Sequence, residues 1–231
     1  MQNADSLKKL VGEEAANLVK DGMKVGLGSG STIYWMVKRL GERVHEGLNI
    51  TAIPTSNITA KWADEFGVPL TDFSKVQQLD IAIDGADEVD ENLQLIKGGG
   101  GALLREKVVA AAAKEFIVIV DESKLVAHLG AFPLAVEVTP FGWERTSTTI
   151  EKLGGKPALR HKDEEVFITD NGNYILDCSF DEILEPEALQ RDLKMLVGVV
   201  ETGLFVGMAD KVIVGKADGV FSIAKQPFRN F

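Results

Sequence analysis

Two stretches constrain the fold most: FIVIVD at 116–121 and LDIAID at 79–84. The first is apolar at five consecutive positions and the second at four of six. A strand that is apolar on both faces needs a layer over each, and helices crossing over a parallel sheet supply both layers. Helical spacing fills the intervals between such runs. Leu7, Leu10, Val11 and Leu18 share one face, with Asp5 or Ser6 placed to cap the start and Gly22 beyond the end. Ile33, Met36, Val37, Leu40 and Val44 make a second amphipathic helix. Residues 59–66, stopped by Gly67, make a third, and 102–114 a fourth. Residues 24–28 and 49–54 read as further strands.

After about Gly130 the alternation stops. Residues 134–138 read as extended and 143–153 as helical. The runs 166–169 and 174–178 flank Asn171-Gly172, a strong hairpin signal. A helix at 186–196 and a strand at 199–205 follow, and short apolar strands resume at 211–215 and 220–224. The expected architecture is α/β: a Rossmann-like parallel-sheet domain of residues 1–130 plus 206–231, with a smaller α+β domain inserted at 131–205.

Hydrophobic residues at 45% and charged residues at 26% match globular averages and exclude a largely disordered chain. With 35 acidic against 25 basic residues, the net charge of −10 argues against a general affinity for nucleic acid or anionic membranes. An anionic ligand must then be held by a local cluster of donors. Cys178 has no intrachain partner, which fits a reducing compartment. No apolar stretch approaches the ~18–20 residues of a membrane span, and residues 1–10 carry no secretory apolar region. The expected location is the cytoplasm.

Three loops hold the candidate chemistry, each at the carboxyl end of an expected strand, where open α/β sheets bind ligands. GLGSGST at 26–32 turns from strand to helix, so backbone N–H groups and the hydroxyls of Ser29, Ser31 and Thr32 suit an anion. Ser31 stands where a dinucleotide fingerprint needs glycine, and no Gly-Lys-Ser/Thr closes a Walker loop. A plain tight turn with a hydroxyl cap is the competing reading. DGADEVD at 84–90 places Asp84 at a sheet edge with Asp87 three residues on, where partial burial tunes a carboxylate; a solvated acidic loop and a divalent-metal loop are the other readings. KGGGGALLREK at 97–107 combines four consecutive glycines with Lys97 before them and Glu106 after. Ordering such a run is costly, which makes sense where backbone passes close to a ligand; a flexible lid is the bland alternative. His45, His128 and His161 show no ligand spacing, and Cys178 reads as a core residue.

These motifs, with the DESK stretch ending at Lys124, FPLAVEV at 132–138, LGGKP at 153–157 and TDNGNYILD at 169–177, resemble ribose-5-phosphate isomerase of the A type over nearly the whole chain. Ser29 stands where that family's loop often has threonine, and the hydroxyl is kept. The resemblance implies reversible interconversion of D-ribose 5-phosphate and D-ribulose 5-phosphate in the non-oxidative pentose phosphate pathway. It also implies no metal or organic cofactor, and a homodimer or sometimes a tetramer. By the same resemblance Glu106 is the base, Asp84 assists ring opening, and Asp87 and Lys97 bind oxygens of the reacting end. The substrate pocket would comprise Ser29, Gly30, Ser31, Thr32, Asp84, Gly85, Ala86, Asp87, Lys97, Gly98, Gly99, Gly100 and Lys124. Lys8, ahead of Lys9, would join the phosphate site.

The chemistry supports those roles independently. One carboxylate can carry a proton between neighbouring carbons, and general base catalysis supplies ~10²–10⁴-fold. Amides at 98–100 and the Lys97 ammonium suit the charge that develops on a carbonyl oxygen, each well-placed donor contributing ~3–4 kcal/mol. Two other classes compete. A deaminase, lactonase or coenzyme A transferase of the same superfold would share the first loop but lack the other two. A non-enzymatic sugar-phosphate sensor fits poorly with a net charge of −10.

Overall fold

The computed structural model describes residues 4–225. The first elements are α1 (Ala4–Asn17), β1 (Lys24–Leu27), α2 (Ser31–His45), β2 (Thr51–Pro54), α3 (Asn57–Phe66) and β3 (Ile81–Asp84). Then come β4 (Glu88–Val89), β5 (Leu95–Ile96), α4 (Leu103–Ala111), β6 (Phe116–Asp121), β7 (Leu134–Val138), α5 (Trp143–Glu151) and β8 (Lys156–Leu159). The chain finishes with β9 (His161–Lys162), β10 (Glu165–Val166), β11 (Tyr174–Ser179), α6 (Pro186–Lys194), β12 (Val199–Thr202), β13 (Leu204–Phe205), β14 (Lys211–Lys216) and β15 (Gly219–Ala224).

The described chain divides into two compact units. The first comprises residues 4–85, Val109–Lys124 and 207–225. It holds the six-stranded sheet, in the order β15-β14-β6-β3-β1-β2, parallel throughout except for β15. Val25, Leu27, Ile81, Ile83, Ile117 and Ile119 are buried in one core with Ile33, Met36, Val37 and Leu40 of α2 and Val11 of α1. These strand residues share one face of the sheet, and the residues that alternate with them, Ala82, Phe116, Val118 and Val120, are buried as well, so both faces are covered as expected. Two close approaches draw the helices in. A side chain at Gly12 of α1 would meet the Thr32 carbonyl of α2 at 2.8 Å, and one at Gly41 would meet the Phe66 carbonyl of α3 at 2.3 Å. Gly67 ends α3 in the left-handed conformation at φ 72°, a position glycine takes without steric cost.

The expected helix at 102–114 ends early, at Ala111. The reason lies in the sheet: the Leu79 N–H bonds the Ala112 carbonyl and the Lys114 N–H bonds the Leu79 carbonyl, so the chain is already extended beside Leu79.

The second unit comprises Ala86–Val108 and Leu125–Val206. Its main sheet is antiparallel, in the order β12-β7-β11-β8. Alternation sorts the side chains. Leu134, Val136, Val138, Leu176 and Cys178 form a core with Ile150 of α5 and Leu193 of α6. Ala135 and Ile175 pack with Leu103 and Phe167.

Three features differ from the expectations. The boundary drawn at 130 falls after Lys124, and Ala86–Val108 joins the second unit. Pairing explains this, because β5 lies between β4 and β13, and the Lys97 N–H bonds the Gly203 carbonyl at 2.8 Å. The hairpin expected across Asn171-Gly172 does not form. Glu165 and Val166 pair with His161 and Lys162 instead, while β11 pairs with β7 and β8. The turn itself is present, closed by the Gly172 N–H on the Thr169 carbonyl at 2.9 Å. The buried Glu137 carboxylate then accepts bonds from the Thr169 hydroxyl and the Asn173 amide, both at 2.9 Å. The extended run at 199–205 is likewise split at Gly203, where the chain leaves one sheet for the other.

Candidate active site

In the first unit, β1 lies between β2 and β3, so the chain departs in opposite directions from β1. Crevices at such a switch point, at the carboxyl ends of the strands, are the usual ligand sites of open α/β sheets. The residues found there are those of the first loop and Asp84. Asp84 is only 2% exposed. Its Oδ1 accepts the Ser29 N–H at 2.9 Å and the Gly85 N–H at 2.7 Å. Gly28 makes this approach feasible, because a Cβ there would sit 2.1 Å from that same oxygen.

The Ser29 side chain is turned inward. Its hydroxyl donates to Ser56 Oγ at 2.7 Å and lies 2.8 Å from Thr55 Oγ1 and 3.2 Å from Thr59 Oγ1. Thr59 donates in turn to the Gly28 carbonyl at 2.8 Å. The loop is therefore pinned through Ser29, and its open end is formed by Gly30, exposed Ser31 and half-buried Thr32 at the start of α2. Gly30 adopts φ 107° there. Sequence reasoning assigned no role to Thr55, Ser56 and Thr59, although their position at the end of β2 was a usable signal.

Lys124 ends the 3-10 turn that follows β6, next to β3 in the sheet, and is half-buried. Lys9 of α1 pairs with Glu13 at 3.7 Å and lies over Trp35. Lys8 sits one turn before Gly12, the residue that touches the first turn of α2.

In the second unit, Lys97 and Glu106 form a buried ion pair at 3.3 Å, being 3% and 5% exposed. Lys97 follows β5 directly. Its position is set by Gly203, where a Cβ would meet the Lys97 carbonyl at 2.2 Å. The Lys97 and Lys107 ammonium groups both stand over the ring of Phe205, at 5.4 and 4.8 Å from its centroid. Lys107 also binds Glu201 at 2.8 Å. Burial pulls the Lys107 amine below its ordinary pKa. Burial pushes the Glu201 carboxyl up, but the Lys107 charge and hydrogen bonds from Lys107, Lys194 and Thr202 together hold it below the ordinary value.

Glu106 lies in the first turn of α4, where Arg105 is anchored to the 170–171 turn. The Arg105 guanidinium donates to the Asp170 carbonyl at 2.8 Å and the Asn171 side chain at 3.0 Å. The glycine run folds as a tight turn, with the Gly101 N–H on the Gly98 carbonyl at 2.9 Å. The Gly99 N–H donates to Asp87 Oδ2 at 2.8 Å. Gly98 and Gly101 have φ of 104° and 81°, and Gly99 and Gly100 are exposed.

The remaining acids of DGADEVD serve the fold. Glu88 accepts the N–H groups of Gly130 and Phe132, and Asp90 accepts those of Asn92 and Gln94. Among the described residues, no three His, Cys, Asp or Glu side chains are grouped as metal ligands.

The ribose 5-phosphate isomerase A (phosphoriboisomerase A) family model matches residues 51–219. The chain belongs to this family. It is 61% identical to ribose-5-phosphate isomerase A 1 of Oceanobacillus iheyensis over 96% of this chain and 99% of that one. A solved ribose 5-phosphate isomerase A from Methanocaldococcus jannaschii shares 42% identity, with a TM-score of 0.92 over 96% of this chain and all of that one. A D-ribose-5-phosphate isomerase solved in complex with phospho-erythronic acid shares 39% identity, with a TM-score of 0.93 over 96% of this chain and 100% of that chain.

Proposed function

We propose that this protein interconverts D-ribose 5-phosphate and D-ribulose 5-phosphate through an enediolate. Family membership supports the substrate class. The observation that carries the mechanism is the buried Lys97–Glu106 pair next to a glycine turn anchored on Asp87. In the forward direction, Glu106 takes the proton from C2 of the open-chain aldose. The C2–H electron pair becomes the C1=C2 bond, and the former carbonyl pair moves onto O1. Glu106 then returns a proton to C1 while the O2 hydroxyl proton passes to the O1 oxyanion, so that C2=O2 and the C1 hydroxyl of the ketose form together. Lys97 and the amide of Gly100 stabilise the oxygen charge, Asp87, held by the Gly99 amide, orients a hydroxyl, and Asp84 assists opening of the sugar ring.

Gly30, Ser31, Thr32 and Lys124, with Lys8, hold the phosphate at the helix start. The phosphate grip is expressed as orientation of C1 and C2 against the base. Gly85, Ala86 and Gly98 are further substrate contacts on the same reading. Ser29 contributes by pinning the loop. The phospho-erythronic acid bound by the related isomerase has the chemistry of such a state, pairing a carboxylate with a phosphate. The same reading makes the protein a homodimer of the cytoplasm, acting in the non-oxidative pentose phosphate pathway without metal or organic cofactor.

The test is purified protein with ribose 5-phosphate in deuterated water. Ribulose 5-phosphate carrying solvent deuterium at C1 is the expected product. Absence of ribulose 5-phosphate would overturn the activity, and product free of deuterium would overturn the carboxylate shuttle in favour of a hydride shift.

A further inference from the structure

Arg160 lies just beyond β8, distant in sequence from every motif that suggested catalysis. Its main chain is held by strand-like bonds, its N–H on the Ile175 carbonyl and its carbonyl on the Phe167 N–H, both at 2.9 Å. Its side chain is 13% exposed and lies against Asp177 of β11, with Nε donating to Oδ2 at 2.8 Å and Nη2 to Oδ1. Burying such a pair costs desolvation that an apolar pair of similar size avoids. The remaining donor shows what the arrangement achieves. Nη1 reaches out of the sheet to the Gly98 carbonyl at 2.8 Å and the Gly99 carbonyl at 3.3 Å. Phe167 stacks under the guanidinium, 5.8 Å from ring centre to Cζ. The same ring closes the end of the glycine turn, leaving no room for a Cβ at Gly101.

In a trans peptide the C=O and N–H point in opposite directions. Fixing the carbonyls of Gly98 and Gly99 therefore fixes the N–H groups of Gly99 and Gly100 on the far side of the turn. The Gly99 N–H is found there, on Asp87. Four glycines in a row lack side chains and have the widest backbone freedom, so the guanidinium adds to the turn bond from Gly101 to Gly98 and the Asp87 contact in holding one orientation. We propose that Arg160 is a positioning residue for the isomerisation, holding the Gly99 amide on Asp87 and thereby presetting the Gly100 amide as a donor to the oxygen that becomes charged in the enediolate. This inference rests on the isomerase reading. It adds that the donor is oriented from behind by a guanidinium, itself aligned by Asp177 and Phe167. Preorganised donors cost no reorientation as charge develops, which is where their contribution to rate arises.

The test compares wild type with Arg160→Met, Arg160→Lys and Asp177→Asn, each checked for folding by circular dichroism and thermal melting. Steady-state kinetics on ribose 5-phosphate are read with inhibition by 4-phospho-D-erythronate and by inorganic phosphate. In folded Arg160→Met, kcat should fall about 10–100-fold, in line with a misaligned oxyanion donor. Affinity for 4-phospho-D-erythronate should fall by about tenfold or more, while inhibition by inorganic phosphate stays within about twofold. Arg160→Lys, which keeps one donor, should lie between, and also serves if Arg160→Met fails to fold. Exchange of the Gly99 amide, followed by NMR, should accelerate about tenfold in the variants as its bond to Asp87 loosens.

A folded variant with kcat, 4-phospho-D-erythronate affinity and Gly99 exchange all near wild type would overturn the proposal. So would equal losses of catalysis and inorganic phosphate affinity, which mark a general collapse. Wild type without turnover of ribose 5-phosphate would strike the isomerase reading instead, and the Gly99 exchange would still decide whether Arg160 orders the turn.

Discussion

Glu106 and Gly28 show two different ways in which one residue governs this chemistry. Glu106 has a carboxylate 3.3 Å from the Lys97 ammonium, both groups being nearly shut off from water. Glu106→Gln preserves size and removes the proton acceptor, so turnover should fall by roughly 10³-fold or more with KM little changed. A folded Glu106→Gln enzyme with near-normal kcat would move the base elsewhere, with Asp84 the next candidate. Gly28 acts by what it lacks. Gly28→Ala places a methyl 2.1 Å from Asp84 Oδ1 and 2.6 Å from its Cα, so the carboxylate or the loop must shift. The expected result is a loss of about 1–3 kcal/mol in stability, typical of overpacking, with at least about tenfold lower turnover. Unchanged melting and kinetics would show that this loop yields more readily than its bonds suggest.

Among the elements, α4 carries the greatest burden, because it presents Glu106 and is moored at several points. Arg105 binds the 170–171 turn, and Lys107 binds Glu201 at 2.8 Å and the Thr202 carbonyl at 2.6 Å. The Glu201 carboxyl has its folded pKa below the ordinary 4.5. A depressed carboxylate contributes stability that is present above its unfolded value and is lost as pH falls through the folded one. Glu201→Gln should therefore cost on the order of 2 kcal/mol near pH 7, where it leaves the Lys107 ammonium without its carboxylate. The difference between variant and wild type should shrink as pH falls below about 4.5, because wild type then loses the same charge. Melting curves from pH 7 to pH 3 give the comparison. A gap that persists unchanged to the lowest pH would assign the effect to packing rather than charge.

For the molecule as a whole, Cys178 offers a direct report of opening. It is fully buried in the core of the second unit, and burial, with the Asp177 charge, pushes its thiol up to about 12. The thiol is thus protonated and covered at neutral pH, and both conditions suppress attack. Native protein at pH 8 should react with a thiol reagent only through unfolding or large opening of this unit, at a rate that urea increases. Rapid stoichiometric labelling without denaturant would show that the sheet of β7 and β11 opens easily. No helix among the described residues is long and apolar enough to cross a membrane.

The sequence by itself determined the features that depend on neighbours along the chain. Helical and strand periods are local, so the parallel sheet, its helices and the glycine stop at Gly67 were legible. Turn chemistry is local as well, and the loop at 26–32, Asp84 and the run at 97–107 could be marked as candidate chemistry from their residues. Strand partners are not local. A bend at Asn171-Gly172 was readable, but it was tertiary pairing that tied β11 to β7 and β8 and sent Val166 to His161. The association of Ala86–Val108 with the second unit was hidden for the same reason, since β5 meets β13 more than a hundred residues later. Only the folded chain turned the Ser29 hydroxyl inward, onto Ser56 beside Thr55 and Thr59. It alone also brought Arg160 to the carbonyls of Gly98 and Gly99. An arginine at a strand end carries no local mark of its partner, because a hydrogen bond is set by proximity and direction in space, and only packing supplies those.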